Sequence, residues 1–335
     1  KNESISNIFF KPHDGIRNSD MLQPETKTLL SEGGDADIYL GYYQPSVKVA
    51  LPADALEANK KYLYTTWETD TPPILWKDHI NLYDKLFVSC NMCKQAFQSI
   101  GVEIPISIVP LGVNEKLWPY KSRNRDGRPL RFLVFVNTYW SNPRKNISMA
   151  FKAFREVFGI REDVELWLKV TDNTNLPPSI EYHTKWFNNV KLISGRFSQP
   201  ELVNLLYEVD CLIFPSRGEG YGLPPREAMS TGIPVIAANW GGLESIMKLP
   251  FNYALTFKWA ECIGENGTKE VVGMNNGNEN FGHWVDPSVE HLKEILLNIY
   301  RNQEELVENG KKCASWIREN ETYKIAANKL VKEML

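Results

Sequence analysis

The stretch PSRGEGYGLPPREAM, Pro215 to Met229, decides how this chain is read. It sets glycines at 218, 220 and 222, a glutamate among them, two adjacent prolines, and a second glutamate eight residues after the first. A loop that only had to turn needs one of these devices. Immediately before it, CLIFP is apolar and β-branched throughout, so it predicts a buried strand, and PREAM opens a helix. SRGEGYGLP is therefore a loop leaving the carboxyl end of a strand, the edge at which open α/β sheets bind ligands. Pro225 suits a first helical turn, where its missing N–H has no helical partner. The glycines admit positive φ and let another group approach the backbone closely. Helix-opening amides favour an anion nearby. Glu219, itself anionic, then faces hydroxyl donors rather than phosphate, and Glu227 in the first turn can accept from both hydroxyls of a ribose.

Working outward, strands and helices alternate on both sides of this loop. RFLVFVN (131–137), VELWLKV, VKLISG, CLIFP and PVIAA predict strands. Between them, ISMAFKAFREVFG (147–159), a segment around WFNNV, PELVNLLYEV and PREAMSTG predict helices. Strands apolar along their whole length imply a parallel sheet covered on both faces. Upstream, NIFF (7–10), DIYLGYY (37–43), KYLYTTWE (61–68), KLFVSC (85–90) and ISIVPLG (106–112) predict a second set of strands. Polar WPYKSRNRDGRP (118–129) reads as the linker between two α/β domains. The boundaries expected are 1–123, 124–310 and 311–335, the last segment crossing back to the first domain.

Composition narrows the function classes. The chain has 335 residues, 43% hydrophobic and 24% charged, an ordinary globular balance and roughly two domains' worth of chain. A net charge of −3 gives no electrostatic argument for nucleic acid or an anionic membrane. No apolar run approaches a transmembrane helix, and five cysteines without framework spacing suit a reducing cytoplasm. Starting at Lys1 rather than Met is consistent with a piece cut from something longer. Cys90 and Cys93 form a C-x-x-C, but no second pair or histidine cluster accompanies it, so packing at a strand–helix junction is expected. Asp35-Ala36-Asp37 opens a strand and reads as a polar strand start, not a metal site. Of ten tryptophans, only Trp67, Trp140 and Trp240 lie at predicted strand ends. His13 with Asp14 is the one candidate acid/base pair.

EGYGLPPRE resembles the E-x7-E signature of retaining glycosyltransferases of the GT-B fold, especially glycosyltransferase family 4. The order of VKLISG, PELVNLLYEVD and CLIFPSRGEGYGLPPREAMSTGIPVIAANWGG is similar to that family, as are WETDTPP, DKLFVSCNMCKQAF and IVPLGVN. The resemblance spans roughly residues 60 to 250. It implies an α/β GT-B architecture: two Rossmann-like parallel-sheet domains facing a cleft, the amino-terminal one reduced. It also implies retaining, metal-independent transfer of a sugar from a UDP- or GDP-sugar to a hydroxyl of a glycan, lipid-linked or protein-linked acceptor, with no cofactor. Under it Glu219 contacts the transferred sugar, Glu227 the ribose, and Lys145 the diphosphate, with Arg144 assisting. Gly220, Tyr221, Gly222, Leu223, Arg196 and Asn137 become donor-binding positions, and the leaving phosphate serves as base for the acceptor hydroxyl. The base of the nucleotide falls near 169–171 and 194–197.

There are departures from the pattern. Tyr139 stands where many relatives carry an arginine, and Trp67 where the family has a histidine. The glycine-rich loop after the first strand is reduced to HDGIRNS (13–19). Residues 249–284, rich in Gly and Asn, replace a short return loop and are expected to be a solvated insertion. Two other functions keep the same fold: a nucleotide-sugar 2-epimerase, and a non-catalytic sugar-nucleotide-binding subunit.

Overall fold

A computed structural model describes residues 38–42, 45, 51, 53–56, 58–123, 127–136, 143–171, 186–262 and 281–335. NIFF, HDGIRNS, Asp35 to Asp37, Asn137, Tyr139 and Trp140 lie outside the described residues.

The amino-terminal sheet is parallel and runs in sequence order: β1 (Ile38–Tyr42), β2 (Lys60–Thr65), β3 (Lys85–Val88) and β4 (Ile106–Ile108). Short helices α1 (Ala53–Leu56), α2 (Trp76–Ile80) and α3 (Asn91–Ser99) connect the strands. Leu63, Trp67, Trp76, Leu86, Val88 and Phe97 bury together on one face of this sheet. The second sheet contains β5 (Leu130–Val136), β6 (Val164–Val170), β7 (Val190–Ser194), β8 (Cys211–Phe214), β9 (Val235–Ala238) and β10 (Tyr253–Leu255). Its order, β10-β9-β8-β5-β6-β7, is wholly parallel. Every residue of β8 and β9 is buried, as their unbroken apolar runs require when both faces are covered.

One face of the second sheet is covered by α4 (Ile147–Phe158), whose Phe151, Phe154 and Phe158 point inward. The other face takes α5 (Gln199–Tyr207) and α6 (Leu223–Thr231). Helix α5 begins with a capping box, Ser198 and Glu201 each bonding the other's backbone. Helix α7 (Glu244–Met247) precedes β10. The polar 118–129 segment is anchored: Trp118 is buried, and Arg123 donates to the carbonyls of Leu206, Thr231 and Gly232 at the ends of α5 and α6.

Where the structure describes the expected insertion, at 249–262 and 281–284, it forms a strap between the two sheets, while 263–280 lie outside the described residues. β11 (Phe257–Glu261) pairs antiparallel with β12 (His283–Pro287). Cys262, Phe281 and Trp284 then bury in the amino-terminal core beside Trp67. Thr69 donates to the Phe281 carbonyl at 2.7 Å, and the Val285 amide to the Arg217 carbonyl at 3.0 Å. The composition of 249–284 is polar on average, which hides three apolar anchors at the hairpin's ends.

Helices α8 (Val289–Arg301), α9 (Glu305–Asn320) and α10 (Tyr323–Met334) complete the chain. Helix α8 packs on α4 and α9 on α6. Helix α10 lies against the amino-terminal sheet: Tyr62 donates to the Met334 carbonyl, and Lys85 pairs with Glu333 at 2.7 Å.

Candidate active site

The loop 215–222 leaves β8 and is seated on the amino-terminal sheet. A Cβ on Gly218 would stand 2.0 Å from the Glu68 carbonyl oxygen, and one on Gly220 1.8 Å from the Thr66 hydroxyl. Ser89 donates to the Gly220 carbonyl at 2.5 Å. The group that approaches Gly218 and Gly220 is the chain's own strand end at 66–68. Among the three, only Gly222 has positive φ, 80°, where it caps α6.

Glu219 and its partners form the charged centre of this junction. Its Oε1 accepts from Lys145 Nζ at 2.6 Å, from Arg144 Nη1 at 3.0 Å and from the Ser216 hydroxyl at 2.7 Å. Arg144 and Lys145 arrive from the turn between β5 and α4 at the same sheet edge. Burial alone would raise the Glu219 carboxyl, but the two cations outweigh it and hold the group below its ordinary value. Arg144 also donates to the Gly218 carbonyl and pairs with Glu68 at 3.0 Å. Its side chain is only 6% exposed, against 22% for Lys145. Arg144, expected to help neutralise phosphate, is thus already committed to two carboxylates and a carbonyl as a clamp between the sheets. Lys145 holds one carboxylate and faces solvent.

Glu68, not singled out by the sequence, completes the array. Burial raises its carboxyl, which Arg144 opposes and Glu219 reinforces. Its Oε2 is buried and has no hydrogen-bond partner among the described residues. Such an oxygen is an acceptor awaiting a donor. The signal was present in the sequence as one acidic residue after β2, but nothing local marks which acid meets Arg144.

Glu227 lies in the first half of α6, partly buried, with no hydrogen bond among the described residues. Burial raises its carboxyl to about 7. Leu223 opens that helix. Tyr221, expected at the donor, has its hydroxyl turned away into the interior. It accepts from the Gly112 amide and donates to Glu321, both at 3.0 Å, while its ring lies 3.8 Å from the Arg226 guanidinium. Arg226 pairs with Glu321, so the arginine of the PPRE segment serves the junction between α6 and the end of α9. Arg196 is exposed beyond β7. Beside it, Lys169 donates to the Val170 and Gly195 carbonyls and lies 4.1 Å from the Phe197 ring. Those bonds fix the two segments expected to meet the base.

Trp67 is fully buried with its indole N–H on Thr69 at 2.6 Å, a core residue rather than a cleft one. Trp240 packs edge-on against Trp259 of the strap. Cys93 is buried at the start of α3, 3.5 Å from Cys90 and 3.2 Å from the Trp67 carbonyl. Burial acts to raise its thiol, but hydrogen bonds from Cys90, Trp67 and Thr66 pull it down to about 7. His13 and Asp14 fall outside the described residues. Among the described residues no group of three His, Cys, Asp or Glu side chains could hold a metal ion, and no helix is long and apolar enough to cross a membrane.

Residues 131–252 match the family described as glycosyl transferases group 1. An MMP alpha-(1->4)-mannosyltransferase of Mycolicibacterium hassiacum is 29% identical over 142 residues, 42% of this chain and 33% of that protein. The chain therefore spans about a third of that relative's length. Among solved structures, a sucrose-phosphate synthase from Thermosynechococcus elongatus superposes with a TM-score of 0.60 at 15% identity, covering 82% of this chain and 67% of the other. The Alr3699/HepE protein of Anabaena, solved in complex with UDP, gives a TM-score of 0.60 at 14% identity, covering 82% and 72%. The two parallel-sheet domains are those of the GT-B fold.

Proposed function

We propose that this chain, whose residues 131–252 belong to the glycosyl transferases group 1, moves a sugar from a nucleotide-diphosphate sugar to a hydroxyl acceptor with retention at the anomeric carbon. The observation that carries the reading is the Lys145–Glu219–Arg144–Glu68 array at the carboxyl edge of β8, with Glu227 unpartnered eight residues beyond Glu219. A diphosphate entering this edge carries more charge than one carboxylate and competes for the more exposed cation, Lys145. Glu219 then keeps Arg144 and Ser216 and has capacity freed for the hydroxyls of the transferred sugar. Glu227 accepts from the ribose. A fixed cation beside the departing diphosphate stabilises the charge it gains as the anomeric bond breaks. The UDP bound by the Anabaena neighbour supports a nucleotide-sugar donor. The acceptor is a glycan or glycoconjugate hydroxyl, approached from the amino-terminal sheet. No step calls for a metal, since Lys145 supplies the charge.

Calorimetry with Lys145→Ala tests the reading. Affinity for UDP or GDP falls by about ten- to a hundredfold, while affinity for the corresponding nucleoside is nearly unchanged. Equal losses for diphosphate and nucleoside would remove Lys145 from the phosphates. Donor turnover without an acceptor-dependent product would favour the epimerase instead.

A further inference from the structure

A second cavity lies beside the site. It has a volume of about 590 Å³, within the range of small-molecule pockets, between the start of α4, the strap and the start of α8. Lys152, Arg155, Arg217 and Lys258 line it, with Asp286 the only carboxylate among its lining residues. Asp286 is held by Arg217 at 2.9 Å. Two carboxylates outside its lining, Glu156 and Glu290, are both turned onto Lys293, at 2.9 and 2.5 Å. Lys152, Arg155 and Lys258 therefore have no ion pair among the described residues. Glu156 still attracts Lys152 and Arg155, and Asp286 stands opposite Lys258 in the strap, but four cations against one carboxylate in the lining favour an added anion. The first-turn residues of α4 and α8 also line the cavity, which adds the positive ends of two helices to the same space. Phe151 and Met149 give it an apolar wall.

We infer that this cavity is a second anion site, distinct from the donor edge, for a phosphorylated small molecule carrying at least two negative charges, of sugar-phosphate size. Lysines supply point charges and Arg155 a fork that phosphate oxygens match. The Ser148 and Ser288 hydroxyls in its lining suit the polar remainder of such a ligand. The site is separate from Glu219 because the backbone of Arg217 and Arg144 runs between them, joined by an amide-to-carbonyl bond of 2.7 Å. That bond, with the Arg217 guanidinium donating to the Pro143 carbonyl at 2.8 Å, also ties the wall of the cavity to the turn carrying Arg144 and Lys145. This inference does not depend on the transfer reaction.

Fructose 1,6-bisphosphate is the probe, titrated calorimetrically into the full chain with saturating UDP and GDP already present, and fructose as the control. The bisphosphate binds, fructose does not, and added salt weakens the bisphosphate. The double variant Lys152→Glu, Arg155→Glu loses about tenfold or more in affinity, and Lys258→Glu, on a different element, loses in the same direction. All three positions are exposed, so unchanged thermal unfolding verifies that the variants fold. No binding to the parent, displacement by the nucleotides, or undiminished affinity in both variants would overturn the site.

Discussion

Glu227 is the residue whose environment makes the sharpest demand. It is a carboxylate set into a helix, with burial raising it to about 7 and no side-chain hydrogen bond among the described residues. The folded protein holds a proton that the unfolded chain releases from an ordinary carboxyl, whose value is 4.5. Below pH 4.5 both states are protonated and the group costs nothing. Stability then falls as pH rises through 4.5 to 7, and the full cost is present above 7. Glutamine does not titrate, so Glu227→Gln gains on the parent across that window and levels off above it, by an order of 1–2 kcal/mol after allowance for partial exposure. Urea unfolding at several pH values measures the gap; a difference independent of pH would mean the carboxyl is ordinary. A residue kept at such a cost to folding suits a role in binding. Glu219 is the opposite case, a buried carboxylate with two cations and a hydroxyl.

At the scale of the element, the 215–222 loop is shaped by what it rests on. Gly218 and Gly220 are there because the Thr66–Glu68 strand end leaves no room for a Cβ, and Gly222 supplies the positive φ that caps α6. Gly218→Ala forces the loop from the Glu68 carbonyl and costs about 1–3 kcal/mol, the range for overpacking a tight contact. The same change moves Arg144, which spans Gly218, Glu219 and Glu68. Hydrogen exchange reads it directly: the amides of 66 to 70 exchange faster than in the parent. Parental stability together with parental exchange would show that the loop does not sit there. The loop is thus a contact surface between the sheets, and under the proposed function a donor that draws Lys145 from Glu219 acts on that contact.

Across the whole molecule, the loop, helix α10 and the strap are among the described connections that hold the amino-terminal sheet to the rest. The strap contributes the largest buried side chain, Trp284, 2% exposed within the amino-terminal core although its strand leads into α8. Trp284→Ala removes that anchor and costs about 3–5 kcal/mol. Because Arg217 joins the strap to the turn carrying Arg144 and Lys145, the variant is expected, under the proposed function, to weaken nucleoside diphosphate binding as well. Chemical unfolding and calorimetry check the two effects. Stability equal to the parent would mean the strap is as loosely held as its composition suggests.

Periodicity and turn chemistry in the sequence were enough to place β5 to β9 with α4, α5 and α6, since buried parallel strands announce themselves as unbroken apolar runs and the helices by their caps. They also put Glu219, Glu227, Arg144 and Lys145 at one sheet edge, because all four follow the carboxyl ends of neighbouring strands. The strap was not legible, as three anchors among many Gly and Asn residues carry no period. Nor were the carboxylates that meet Arg144, Tyr221 and Arg226, which lie 75 to 100 positions away in the chain. Local sequence determines which elements form and which ends face the ligand. Only packing of the two sheets decides which charge meets which, because a side chain's partner is chosen by distance in space and by the cost of leaving it buried alone.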